Sequence, residues 1–202
     1  MNELCLKFEK DNNPRRMPEG HFTAFVGLYP RFNAFVAFYT DAVEALYRRV
    51  SEGNDTPDMI AFPLLFLMRH ALELGYKYSL FHLCKLNSTT FDPRNKEGHS
   101  LAKLHKRLGV EYYKALENGS FPDRDKECFE KYYALTDASM QRFDELDSAS
   151  TKTRFPNSDE SPAFSCETNV NLLELKNEFD YAMILLTTMA DVIGEYDYSE
   201  YG

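Results

Sequence analysis

Between residues 94 and 107 the chain gathers cations. Arg94, Lys96, Lys103, Lys106 and Arg107 stand against Glu97 alone, with His99 and His105 interleaved. Over all 202 residues, Lys and Arg total 23 against 32 for Asp and Glu, a formal charge of -9. A chain of that balance repels nucleic acid as a whole, so this run is the place where a phosphate would be drawn in. Lys96, Lys103, Lys106 and Arg107 are the candidate nucleic-acid contacts, and the rings of Tyr112 and Tyr113, just beyond, offer platforms for bases. A solvated loop and helix face has the same composition.

A second constellation lies upstream. Arg69, Glu73 and Lys77 recur at four-residue spacing with His70 beside the first, and residues four apart share a helix face, so Arg69 can pair with Glu73 and Glu73 with Lys77. The surrounding residues are apolar almost all the way round, among them Leu64, Leu65, Phe66, Leu67, Met68, Leu72, Leu80 and Leu83, the pattern of a central, buried helix. Two readings stand for the charged row: a wet stripe facing solvent, or a satisfied polar network of Arg69, His70 and Glu73 within a bundle or at a dimer interface.

Other familiar chemistry is missing. His82 and Cys84 are two apart but lack two further ligands at metal spacing, so no metal site is expected. There is no Gly-x-x-x-x-Gly-Lys phosphate loop and no His-Glu-x-x-His, and no cofactor is implied. Glu44 with Glu52, and Asp144 with Glu145 and Asp147, read as solvent-facing carboxylates. Cys5, Cys84, Cys128 and Cys166 are scattered, which favours free thiols. No uninterrupted apolar run reaches bilayer length, and Met1 to Lys10 lacks a signal peptide's apolar core, so a cytoplasmic protein with no membrane partner is expected.

The elements that must hold these residues are helices. Three- and four-residue apolar steps predict one over 32–51, with a central helix over 57–87 after Thr56-Pro57. A third runs over about 100–116, weakened in its middle by Gly109, a fourth over 123–146 and a fifth over 169–196. Between 147 and 168 the periodicity vanishes into Ser, Thr, Asp and Pro, a long irregular loop. Residues 1–24 read as an N-terminal extension in which Leu4, Leu6 and Phe8 alternate as a short strand would, and 197–202 as a fraying tail. The expectation is an all-α fold: a single helical bundle of about five helices spanning 25–202.

Three segments carry a resemblance. Arg69-His70-Ala71-Leu72-Glu73-Leu74-Gly75-Tyr76-Lys77 resembles the R-H-A-[IL]-E-L-x-[LY]-K helix of HEPN-domain proteins, the helical family named for higher eukaryotic and prokaryotic nucleotide binding. Gly98-His99-Ser100-Leu101-Ala102-Lys103-Leu104 is similar to their G-H-[DS]-L-x-x-L segment, and Arg154-Phe155-Pro156 to their R-[FY]-P loop. Order and rough spacing match as well, over about 32–196.

The family holds both ribonucleases and members without known catalysis. Its ribonucleases carry an Arg, a polar residue and a His four to six residues after the Arg, and Arg94-Asn95-Lys96-Glu97-Gly98-His99 fits that pattern, though in the loop after the second helix and not in a late helix. The resemblance thus implies RNA or nucleotide binding, and metal-independent RNA cleavage with His99 moving the proton and Arg94 holding the phosphoryl oxygens. It also implies a homodimer, a nucleotidyltransferase-type partner and a bacterial defence or toxin-antitoxin setting. The alternative is a non-catalytic dimerisation or partner-binding module in which Arg69, Glu73 and Arg154 fix geometry, Arg154 reaching back to Glu73 or an acidic neighbour.

Overall fold

In the computed structural model the chain divides into two units, Met1–Pro30 and Arg31–Gly202. The structure describes residues 32–93, 96–119, 123–147, 152–153, 157–158, 161–162, 164 and 168–197, all in the second unit. Five α-helices fill them: α1 (Phe32–Ser51), α2 (Pro57–Leu86), α3 (Leu101–Glu117), α4 (Asp123–Asp147) and α5 (Leu172–Asp197). A short 3-10 turn, Lys96–His99, leads into α3. Asn157–Ser158 and Ser161–Pro162 make a two-residue antiparallel pair inside the long connection between α4 and α5. The fold is the all-α bundle that the apolar periodicity predicts.

Helix α2 is the axis. Extended Thr56 precedes it without a side-chain capping bond, Pro57 sets its first φ, and Asp58 places a negative charge in the first turn. It packs against α1, α3 and α5, while α4 closes the far side against α3 and α5. Leu64, Met68, Leu72, Tyr76, Leu80 and Leu83 recur at three- and four-residue steps and are all fully buried. By length and mean hydropathy α2 would also pass for a membrane span, yet 56% of that window is buried inside the bundle. At Gly75 an added Cβ would lie 2.8 Å from Leu186 Cδ1, so the missing side chain lets α5 approach the axis.

The remaining core comes from Leu101, Leu104, Leu108 and Tyr112 of α3, Phe129, Met140 and Phe143 of α4, and Leu175, Phe179 and Met189 of α5. Helix α1 contributes Val43, fully buried, and the partly buried Tyr39, Leu46, Tyr47 and Val50, while Phe35 and Phe38 are exposed.

Gly109 weakens α3 as an isolated helix, and the bundle explains why it is there. A Cβ at that position would fall 2.6 Å from Tyr133 Cζ, so the bare backbone is the surface on which the Tyr133 ring lies. That ring stacks on His105, centroids 4.1 Å apart, and on Phe129 at 5.2 Å. Tyr112 stacks on Phe129 in turn at 3.6 Å, which makes the α3–α4 seam an aromatic column.

Candidate functional site

The charged row on α2 is not a wet stripe. Arg69 is 1% exposed, Glu73 5% and Lys77 6%, so all three must be paired or solvated by protein. Lys77 Nζ donates to Glu73 Oε1 at 2.7 Å, the four-residue pairing that the spacing predicts. Arg69 reaches across the bundle, Nη1 donating to Asp144 Oδ1 of α4 at 2.9 Å and Nη2 donating to the His99 carbonyl. Arg69 and Glu73 are thus both buried and engaged, Arg69 by Asp144 and the His99 carbonyl and Glu73 by Lys77.

Asp144 organises the far side. Its carboxylate accepts from Leu101 N at 2.9 Å, Ala102 N at 3.0 Å and Ser100 Oγ at 2.7 Å, while Ser100 Oγ accepts from Lys103 N at 3.3 Å. The first backbone N–H groups of α3, which no helix can satisfy internally, are thereby taken by two side chains. A negative charge suits that end of the helix dipole, and the Arg69 guanidinium balances it. Because these donors are occupied, the N-terminus of α3 is closed to an outside anion.

His99 sits where the network meets solvent. Its Nδ1 lies 2.9 Å from Glu73 Oε1, and its side chain is 48% exposed against 7% for that of Glu73. A carboxylate engaged by an ammonium accepts only, so Nδ1 is the donor and the neutral ring keeps its lone pair on Nε2. The ring is held on one side by Glu73 and its backbone carbonyl by Arg69, an arrangement that fixes both tautomer and direction.

Several expectations need correction. Asp144 and Asp147 are not solvent-facing: Asp144 is enclosed as described, and Asp147, 2% exposed, accepts from Thr153 N at 3.0 Å and Thr153 Oγ1 at 2.7 Å. Glu44, Glu52 and Glu145 do face solvent, Glu44 with its side chain 46% exposed while it also meets Lys176 at 2.6 Å. His70 turns to the α1 side, where its ring stacks on Phe66 and meets Tyr39 edge-on at 4.5 Å, because adjacent helix positions point about 100° apart. Tyr112 is 1% exposed and cannot receive a base, whereas Tyr113 is 36% exposed.

Arg94 and Arg154 lie outside the described residues, and so does the side chain of Lys96, whose backbone opens the turn before α3. Lys103, Lys106 and Arg107 are exposed on α3. Arg107 is partly occupied: it donates to the Thr90 carbonyl at 2.8 Å and lies 4.9 Å from the centre of the Phe91 ring. No cluster of metal-binding side chains occurs among the described residues.

Asp144 and Lys77 complete a site that the Arg69, Glu73 and His99 motifs only begin. A signal for Asp144 was present: the buried Thr136 and Met140 lead by four-residue steps to it, which places an acid on the core-facing stripe of α4. Fold and site together define an all-α bundle with a buried ionic clasp and one ring exposed at its rim. No family model, curated protein or solved structure matches the chain.

Proposed function

We propose that this chain is a HEPN-like RNA- or nucleotide-binding protein in which His99 transfers the proton in metal-independent cleavage of the RNA backbone. The observation that carries the reading is His99 itself, a half-exposed imidazole whose Nδ1 is held by buried Glu73, leaving Nε2 to face an incoming substrate. In that reaction Nε2 takes the proton of a 2'-hydroxyl as its oxygen bonds to phosphorus and the P–O5' bond breaks. The departing 5'-oxygen is protonated by the corresponding histidine, in its charged form, of a second copy. Lys103 and Lys106, exposed one and two turns into α3, attract the backbone, and Tyr113 further along receives a base. By the resemblance, Arg94 would hold the phosphoryl oxygens.

The test is cleavage of a labelled RNA by the full chain in the presence of a chelator. His99→Ala should lose about 10²- to 10⁴-fold in rate, the usual contribution of a positioned acid or base. Glu73→Gln should lose less, since the amide still contacts Nδ1 but no longer fixes the tautomer. Cleavage by His99→Ala at the wild-type rate removes the histidine from the mechanism. A wild type that neither cleaves nor binds RNA removes the whole reading.

A second reading, a non-catalytic pairing module for a second copy or a nucleotidyltransferase-type partner, is favoured by a different observation. Helices α1 and α2 expose Phe35, Phe38, Phe62 and Phe81, at 43%, 52%, 48% and 50%, more large apolar surface than a lone bundle gains from. Light scattering decides it: a dimer that Phe38→Glu dissociates, in a protein without RNA activity, is the outcome that replaces the first reading by the second.

A further inference from the structure

Helices α1 and α5 both flank α2 and run antiparallel to each other, clasped at one end. There Lys176 of α5, 7% exposed, binds Glu44 at 2.6 Å and Asp180 at 2.8 Å, with its ammonium 5.4 Å from the centre of the Tyr47 ring. Toward the start of α1 and the end of α5 the two helices leave a cleft of about 350 Å³, within the low end of the range of small-molecule sites. Val36, Ala37, Met183, Leu186 and Ala190 wall it, Gly75 of α2 lies at its floor, and Asp41 stands on the α1 wall one turn from Ala37.

Two features specify an occupant. The walls are mostly aliphatic, and Met183 adds a flexible thioether that adapts to shape, so the body of the occupant is a compact apolar group. Asp41 is the one charged side chain of the lining, and it makes no ion pair among the described residues. Its neighbours toward the clasp do not neutralise it, because the Lys176 ammonium is already shared between Glu44 and Asp180. Two nearby carboxylates divide one cation while a third has none, so the local field favours a positive head group and opposes a negative one. The Thr40 hydroxyl donates to the Val36 carbonyl at 2.8 Å, which leaves its oxygen lone pairs to accept from such a head group beside Asp41.

We propose that the α1–α2–α5 cleft is a binding site for a small apolar amine, with its hydrocarbon body between Val36, Met183 and Leu186 and its ammonium at Asp41. The inference does not rest on the RNA reading, for the cleft shares no residue with the network around His99.

The test uses the full chain and three probes of similar shape, 2-phenylethylamine, 2-phenylethanol and 3-phenylpropanoate, with binding followed by ligand-observed NMR. The amine should bind about fivefold more tightly than the alcohol, the worth of one contact ion pair facing water, and the carboxylate most weakly. Asp41→Asn should bring the amine to the level of the alcohol. Ala37→Phe fills the cleft from an exposed position and should abolish binding of both, and Thr187→Phe, from an exposed position on the opposite wall, repeats that test should the first variant misfold. The proposal is overturned by a carboxylate that binds as well as the amine, by amine binding that survives a folded cleft-filling variant, or by no binding of any probe.

Discussion

Two histidines six residues apart, His99 and His105, occupy opposite kinds of environment. His99 is half-exposed at the rim of a charged network and faces a buried carboxylate. His105 is fully buried on the inner face of α3, stacked on Tyr133, with its Nδ1 2.9 Å from the Tyr76 hydroxyl. Burial holds the phenol of Tyr76 far above its ordinary range, so Tyr76 stays protonated and its hydroxyl shares a hydrogen bond with Nδ1, while the buried Nε2 has no hydrogen-bond partner among the described residues, the nearest carboxylate oxygen being Asp137 Oδ1 at 3.9 Å. Both rings are held at Nδ1, but by partners of different kinds: a carboxylate, which only accepts, for His99 and a buried hydroxyl for His105. One helix entrance exposes a lone pair that can react, and the next turn and a half buries one that cannot. A histidine's role here is set by the partner on Nδ1 and by access to the other nitrogen.

The hardest blow to the exposed histidine's setting is dealt from α4. Asp144→Ala removes the carboxylate that the buried Arg69 guanidinium reaches across the bundle and strips the N–H groups of Leu101 and Ala102. Removing one partner of such a buried pair costs about 3–5 kcal/mol, and urea unfolding should show a loss of that size. A loss below about 1 kcal/mol would mean that the clasp is no more than a surface pair.

The buried histidine responds to pH instead. Burial depresses the His105 pKa to about 4, an effect that nearby Asp137 only partly offsets, from the ordinary value of 6.5. Between those values the unfolded chain binds a proton that the folded chain refuses, so stability rises with pH there and falls on acidification. The loss begins below about pH 6.5, approaches about 1.4 kcal/mol per pH unit, and totals about 3 kcal/mol once pH 4 is passed. Urea unfolding at pH 7, 5.5 and 4.5 measures it, and His105→Phe should flatten the slope in that window by one proton. An unchanged slope in the variant would assign the acid sensitivity to other groups.

A smaller effect tests the wall that keeps His105 dry. Gly109→Ala places a methyl against the Tyr133 ring, which must shift off the helix and off His105. The overpacking should cost about 1–3 kcal/mol, against the gain of less than about 1 kcal/mol that alanine brings to an unobstructed helix position. Thermal unfolding gives the sign: a more stable variant would show that the seam has room to spare.

What the residues reveal in advance follows the range over which each interaction acts. The helices were legible because apolar periodicity is local, and the central place of α2 because it is apolar on nearly every side. The Lys77–Glu73 pair was legible for the same reason, since four residues along a helix fix a distance. For Arg69 the residues left a wet stripe and a buried network equally open, because the partner that decides it, Asp144, lies 75 residues away and its approach depends on how α4 packs. Gly109 looked like a defect from propensity alone and is a contact surface once Tyr133 is in place. Tyr112 follows Leu104 and Leu108 at four-residue steps and Tyr113 lies off that stripe, so one ring stacks on Phe129 in the core and the other meets Phe129 edge-on from an exposed position.

The smallest expected change is the most informative about His99. His99→Ala removes a half-exposed ring and one of the contacts to Glu73, while Lys77 still neutralises that carboxylate. Arg69 keeps its hold on residue 99 through the backbone carbonyl, which alanine retains. Stability should therefore fall by about 1 kcal/mol or less, the net worth of one hydrogen bond, and α3 should stay capped. If RNA cleavage disappears in a variant of nearly wild-type stability, the ring is there for chemistry. A loss of several kcal/mol would instead make His99 part of the clasp, closer in kind to Arg69 than to a group presented to a substrate.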